Sequence, residues 1–260
     1  MGWLTKPGRH ARYGWKPDLP DVRDYRWTRP RFVAALPPAV DLRPNCPVVL
    51  DQGQLGSCTA NAIANAHLYD QLAEHAKAVV QPSRLFIYYN ERKMEGTINE
   101  DSGAQIRDGM KSIARWGVCS EKIIPYNIQR FRVKPGCRAY KDATLHQALT
   151  YHRLDSTNLD ELRACLADER PFVFGFTVYE SFESNAVANT GVVPMPGLGE
   201  SVLGGHAVLC VGYDDAKQRF LVMNSWGTNW GMLGYFTIPY AYLTNPNLAD
   251  DFWTVSTVEV

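Results

Sequence analysis

The chain has 260 residues and a mass of 29.2 kDa, room for one large domain or for two lobes sharing a cleft. Hydrophobic residues make up 45% and charged residues 21%, the balance of a soluble globular protein, and no apolar run approaches the ~20 residues that span a bilayer. The 27 basic and 27 acidic residues cancel, but residues 1–35 carry eight Lys/Arg and three Asp, a net of +5, against −5 for the rest; the body shows no basic stripe of the kind that tracks a nucleic-acid backbone.

Residues 1–35 are rich in Arg, Trp, Tyr and Pro and have no helical or strand period. Trp3, Trp15 and Trp27 lie here, and solvated disorder avoids aromatics. The arm is therefore expected to be extended but docked, with its rings as anchors. A partly ordered tail for an external anionic partner is the alternative. The first seven residues lack the apolar centre of a secretory signal, Lys6 stands where a myristoylation signal wants Ser or Thr, and no Asn-x-Ser/Thr occurs. As the chain stands the expectation is a cytoplasmic monomer without a membrane segment; export by an unmarked route is left open.

From residue 36 the pattern becomes globular. An Ala-rich stretch predicts a helix over 58–76, after a loop Gly53-Gln54-Leu55-Gly56 from which Ser57 is placed to cap it. Pro82-Ser83 opens a second helix to about Met94. Ile106, Met110 and Ile113 mark a third over 103–116. Asn158 and Glu161 form a capping box for a short helix to Ala167. After Pro171 the chain turns strand-like: 172–178, 206–213, 220–226, 235–238 and 253–258, with Asp214 and Asp215 in a hairpin turn. Helices first and strands second predict an α+β protein, with a helical lobe over about 36–150 and a β-rich lobe over about 151–260.

Six cysteines are present, at 46, 58, 119, 137, 165 and 210. None forms Cys-x-x-Cys and none has zinc-like spacing to a histidine, so no metal or cofactor is expected. A thiol attacks a carbonyl as thiolate, which a helix N-terminus favours through its unpaired N–H groups. Cys58 stands where loop becomes helix. It needs a base, and of six histidines His206 alone follows two glycines and opens a strand. Asn224 lies in the next predicted strand, within cross-strand reach, where it would orient the imidazole. Taken singly, a buried apolar Cys and a hydrogen-bonded structural His are the commoner roles for such residues.

The surrounding motifs change that weighting. Gln52-Gly53-Gln54-Leu55-Gly56-Ser57-Cys58, Gly205-His206-Ala207-Val208 and Asn224-Ser225-Trp226-Gly227, followed by Gly234-Tyr235-Phe236, resemble the three active-site blocks of the papain and cathepsin family, in the family's order. His206 lies 148 residues beyond Cys58, inside the range of about 130–150 for such enzymes; Asn224 lies somewhat beyond it. Leu36-Pro37-Pro38-Ala39-Val40-Asp41 resembles the start of the mature domain, so the resemblance covers residues 36–260.

That resemblance implies a papain-like two-lobed fold, with the Cys at a helix N-terminus in the helical lobe and the His and Asn in a β-barrel-like lobe. It implies a cysteine endopeptidase acting on a peptide or protein substrate. Cys58 would be the nucleophile, His206 its base, Asn224 the orienting acceptor, and Trp226 the ring shielding that contact. Gln52 and the Cys58 N–H would form the oxyanion hole. Ser102 and Gly103 stand where the family has a Gly-Gly that binds substrate backbone, and a side-chain pocket would include Gln105, Gly205 and Ala207. No paired-His insertion like that of carboxydipeptidase relatives appears. Leu55 removes one family disulfide, Asn90 stands near the partner position of Cys137 in another, and Thr59 replaces an aromatic. The arm is shorter and richer in Pro than family pro-segments; it is expected to lie across the cleft as a built-in blocker, anchored by aromatics and steered by charge. A non-catalytic receptor that keeps the cleft, and acyl transfer to an acceptor other than water, are the competing functions.

Overall fold

The computed structural model describes residues 13–28, 35–74, 76 and 79–256; Trp3 and the rest of the first twelve residues fall outside them. A short strand β1 (Ala39–Asp41) precedes the central helix α1 (Cys58–Ala73). Helices α2 (Arg84–Glu95), α3 (Ile106–Trp116) and α4 (Cys137–Ala143) follow. Next come β2 (Thr150–Arg153), α5 (Leu159–Ala167), β3 (Phe172–Tyr179), α6 (Asn185–Thr190) and β4 (Val202–Asp214). The chain ends with β5 (Arg219–Met223), β6 (Tyr235–Pro239), the single turn α7 (Tyr240–Leu243) and β7 (Ala249–Ser256). The helices-then-strands order of the sequence is thus the architecture.

The strands form one antiparallel sheet in the order β2-β7-β3-β4-β5-β6, with β1 added to β4. β3 is buried on both faces, as its unbroken apolar run Phe172-Val-Phe-Gly-Phe requires. Phe172, Phe174 and Phe252 pack ring to ring, and Phe176 joins Phe182 and Phe236 toward the cleft end. α1 is buried on nearly every side. Its Ala and Asn residues let α2 and α3 approach on one flank and β4 on the other, which is why it shows no amphipathic stripe. Such a helix holds its first residue in a fixed place against the sheet.

Differences from the sequence reading have local causes. Ser57 does not cap α1; its hydroxyl pairs with Tyr126 Oη at 2.6 Å and accepts from Asn61 Nδ2 at 3.1 Å. Half of the capping box at α5 forms: Asn158 Oδ1 accepts the Glu161 N–H, while Glu161 Oε1 takes the N–H of Asp155. β7 begins at Ala249, four residues before the predicted start, because Asp250 and Asp251 interrupt the apolar run yet sit in the strand, Asp251 with φ of 60°. β1, β2 and α4 are too short to carry a period of their own. All six cysteines are unpaired.

Candidate active site

Cys58 is the first residue of α1 and is fully buried. The N–H groups of Ala207, Gly14 and Thr59 face its sulfur, so α1 delivers the thiol against the strand that carries His206. His206 points from β4, and its Nε2 lies 2.8 Å from Asn224 Oδ1. That oxygen also accepts the Ser225 N–H at 2.8 Å. It is therefore an acceptor twice over, and Nε2 carries the proton. A neutral imidazole then leaves Nδ1 with its lone pair free, and among the described residues Nδ1 has no hydrogen-bond partner. Asn224 sits one residue past the end of β5, held by its N–H to Gly234 O.

Aromatic rings enclose this pair. Trp226 stacks on the imidazole at 5.0 Å and 26°, and Phe176 and Phe182 approach it edge-on or tilted. On the other side Gln52, fully buried, is fixed by backbone and side chain alike. Its N–H donates to Ser225 O, its Oε1 accepts from Ser225 Oγ at 2.6 Å, and its Nε2 donates to Leu55 O at 2.9 Å. The loop that ends in Cys58 is thereby tied to the residue following Asn224, which couples the two halves of the site.

The arm fills the space that remains. Tyr13, Gly14 and Trp15 lie across the site, with the Tyr13 ring 6.0 Å from that of His206. The Tyr13 hydroxyl bonds to Glu183. The backbone is pinned from both lobes: Trp15 N–H donates to Gly205 O at 3.0 Å, Ala104 N–H to Gly14 O at 2.8 Å, and Lys16 N–H to Ala104 O at 3.1 Å. The approach at Gly14 is so close that a Cβ there would stand 1.9 Å from Gly56 O, and one on the facing Gly103 would stand 2.1 Å from Gly14 O. The Trp15 indole occupies a pocket open because residue 175 is glycine, where a Cβ would meet the ring at 2.0 Å. Its Nε1 donates to Asp251 Oδ2 at 3.0 Å.

Burial under the arm sets the charge state. It pushes the Cys58 thiol up to about 11, against the pull of the surrounding N–H groups. It pushes His206 down to about 4, against the Asn224 hydrogen bond. Removing solvent disfavours both charged forms, so the covered site holds a neutral thiol beside a neutral imidazole.

Residues 36–251 match the family described as papain family cysteine protease. The chain belongs to that family. It resembles xylellain, a cysteine protease from Xylella fastidiosa, whose crystal structure superposes with a TM-score of 0.90 at 45% identity, covering 99% of this chain and 100% of that one. An uncharacterized peptidase C1-like protein of Acanthamoeba polyphaga mimivirus is 47% identical over 216 residues, 80% of this chain and 70% of its own length. A cathepsin B-like protein of Giardia intestinalis is 29% identical over 217 residues, 78% of this chain and 69% of its own. The papain-family fold and cysteine-peptidase class read from the three sequence blocks thus stand.

Within the family frame, the structure brings Cys58, His206, Asn224, Gln52, Trp226, Gly205 and Ala207 together. Gly103 lies beneath Gly14, but the residue that pairs with the arm is Ala104, one position on. The Ser102 hydroxyl turns to Thr97 Oγ1 and Gly103 O. Gln105 is at the rim, its Oε1 accepting from Leu19 N–H at 3.4 Å. Sequence reasoning missed Ala104, Asp251 and the role of Gly14. No local signal marks the first two; the third had one, a glycine between two aromatics in a segment already read as docked.

Proposed function

We propose that the chain is a cysteine endopeptidase in which Cys58 attacks the scissile carbonyl, His206 accepts the thiol proton at Nδ1, and Asn224 holds the imidazole through Nε2. The observation that carries the reading is the His206–Asn224 bond, which fixes the tautomer with its basic nitrogen unpaired, beside a cysteine at a helix N-terminus. Gln52 and the Cys58 N–H supply two donors for the developing oxyanion, each worth ~3 kcal/mol in enzymes of this kind. Acylation expels the amine, protonated by His206, and water activated by the same ring then hydrolyses the thioester. The arm is a blocker in this reading: it excludes peptide from the cleft and keeps thiol and imidazole neutral. When it leaves, hydration lowers the cost of the thiolate–imidazolium pair.

The test is intact mass after treatment with an epoxide that alkylates papain-type thiols, on the full-length protein and on Gly14→Val. One adduct, mapped to Cys58, absent in Cys58→Ser and formed much faster in Gly14→Val, is the expected result. No adduct in either folded form would refute the activated nucleophile and leave a receptor that keeps the cleft. Product masses from a long peptide separate internal cleavage from terminal trimming, and added amines in that assay detect acyl transfer.

A further inference from the structure

Beyond the cleft the arm continues over a second face, and there its contacts are carboxylates on arginines. Asp24 accepts from Arg107 Nε at 2.9 Å and Nη2 at 2.6 Å, a bidentate fork, and from Arg153 Nη1 at 3.2 Å. Asp18 takes the Arg107 backbone N–H at 3.1 Å with one oxygen and the Trp253 indole N–H at 2.9 Å with the other. That backbone N–H belongs to the first turn of α3, whose preceding residue Gln105 offers no side-chain cap. The arm backbone also extends the sheet: Trp27 N–H donates to Arg153 O and Arg153 N–H to Tyr25 O, on the free edge of β2.

Arg107 is the telling residue. Only 3% exposed, it directs every side-chain hydrogen bond it makes among the described residues to the arm, namely to Asp24 and Leu19 O. Arg153 differs, because Asp250 and Asp251 of the body also pair with it, at 2.9 and 3.0 Å. With the arm away, Arg153 stays neutralised while Arg107, an uncapped helix N-terminus, an indole N–H and a strand edge stand unfilled. A guanidinium fork with adjacent backbone N–H groups is a receptor for carboxylate, and an open edge is a receptor for extended chain.

We propose that Arg107, the α3 N-terminus and the β2 edge form an acidic-peptide site beside the cleft, filled in cis by Asp18 and Asp24 and open to an acidic stretch of a protein substrate once the arm is displaced. It rests on the reading of the arm as a displaceable blocker. Asp18 is three residues from Trp15, which fills the cleft pocket, so a chain lying in the pocket reaches the site within ~10 Å of extended backbone. A substrate crossing the pocket on that side runs over Arg107. The fork binds a side chain, so it serves a chain of either direction.

The test uses the full-length protein carrying Gly14→Val, which opens the cleft, with Asp18→Asn and Asp24→Asn, which take the arm's own carboxylates out of the outer site, and two quenched fluorogenic peptides that share one cleavable segment. Both extend by about ten residues toward this face; one extension carries two Asp, the other two Asn. The Asp peptide is expected to have a KM about tenfold lower with an equal kcat, and Arg107→Gln in the same background is expected to abolish the difference. Equal KM values, or a difference that survives Arg107→Gln, overturn the proposal. Because the main contrast lies in the ligand, it holds whatever Arg107→Gln does to folding. If Gly14→Val cleaves the Asn peptide no faster than the unaltered protein, the blocker reading fails instead. Fluorescence anisotropy of the two labelled peptides on the same Asp18→Asn, Asp24→Asn protein carrying Cys58→Ser then decides the site by itself: tighter binding of the Asp peptide supports it, and equal binding overturns it.

Discussion

The arm docks through two stretches built on different physics. Tyr13 to Lys16 is held in the cleft by backbone hydrogen bonds and by shape, with glycines on both sides removing side-chain bulk. Asp18 to Trp27 is held outside it by buried charge, with the side chains of Asp24 and Arg107 only 8% and 4% exposed. The first stretch has no slack in space. The second tolerates changes of volume but depends on every carboxylate keeping its partner. The +5 arm on a −5 body also docks in an unexpected sense: on this outer face, described acids of the arm sit on arginines of the body.

The sharpest way to break the comparison is to fill space in the cleft. Gly14→Val drives a side chain into Gly56 O, which a Cβ alone would meet at 1.9 Å. Backbone cannot yield there without moving the loop before Cys58, so the arm must lift. Epoxide labelling of Cys58 is expected to rise about 100-fold, the equivalent of ~2.7 kcal/mol of lost closure. A rate within twofold of the unaltered protein would show that the cleft stretch does not gate the thiol.

Removing charge from the outer stretch comes next. Asp24→Ala leaves Arg107 and Arg153 without their shared carboxylate in a buried setting, a change of ~3 kcal/mol when nothing relaxes. Here the arm can open and let water reach Arg107, so the cost is capped by the energy of docking. Labelling is expected to rise about tenfold, with Asp24→Asn between the two. If Asp24→Ala labelled no faster while Gly14→Val did, the outer stretch would be decoration on a closure made in the cleft alone.

How far this was legible in the sequence follows from the same contrast. Cys58, His206, Asn224 and Gln52 announce themselves because each sits in a run of unusual neighbours, glycines and aromatics at fixed spacing, whose reason is local: a turn, a helix start, and for His206 a pair of glycines that lie with it inside β4 and do not, as predicted, precede a strand that it opens. The large helices and apolar strands were legible for the same reason. Asp251 and Arg107 carry no such mark. Asp251 meets the indole of Trp15 across 236 positions and Arg107 meets Asp24 across 83, and nothing near either residue hints at the partner. The neighbourhood of Asp251 also misled: the predicted strand starts at 253 and leaves it out, yet Asp251 lies in β7 and receives the arm.

The third test uses pH to probe the carboxylate that the two stretches share. Asp251 faces Trp15 Nε1 and the Asp18 N–H and carboxylate from the arm, Asp250 from its own strand and Arg153 from β2; Asp18 in turn faces Arg107 and Trp253. Burial first, then the neighbouring Asp18 charge, raises Asp251 to about 7, and burial raises Asp18 as well. Lifting the arm removes both causes, so the docked state binds more protons than the open one. Docking is therefore strongest at acid pH. It weakens as pH rises from the ordinary carboxylate range through about 7 and levels off above that. The ratio of labelling rates, unaltered protein over Gly14→Val, cancels the titration of the thiol itself. It is expected to climb several-fold between pH 5 and 7 and to lose that slope in Asp251→Asn. A flat ratio would mean that the carboxylates do not sense the arm.

The smallest effect belongs to the ion pair at the junction of the two stretches. Lys16 Nζ lies 3.1 Å from Glu95 Oε2, but the lysine side chain is 38% exposed. Glu95 keeps a second partner in the Gln105 N–H, at 2.8 Å from Oε1, so losing Lys16 does not strand it. Water screens such a pair and the long side chain resists being fixed, which limits pairs of this kind to about 0.2–1 kcal/mol. Lys16→Ala is expected to raise labelling about twofold, measured beside Asp24→Ala under the same conditions. The two variants each delete one charge from the arm, of opposite sign, and differ further in burial and in what the abandoned partner can still reach. A Lys16→Ala effect as large as that of Asp24→Ala would mean that neither burial nor the shared fork at Arg107 sets how firmly the arm is held.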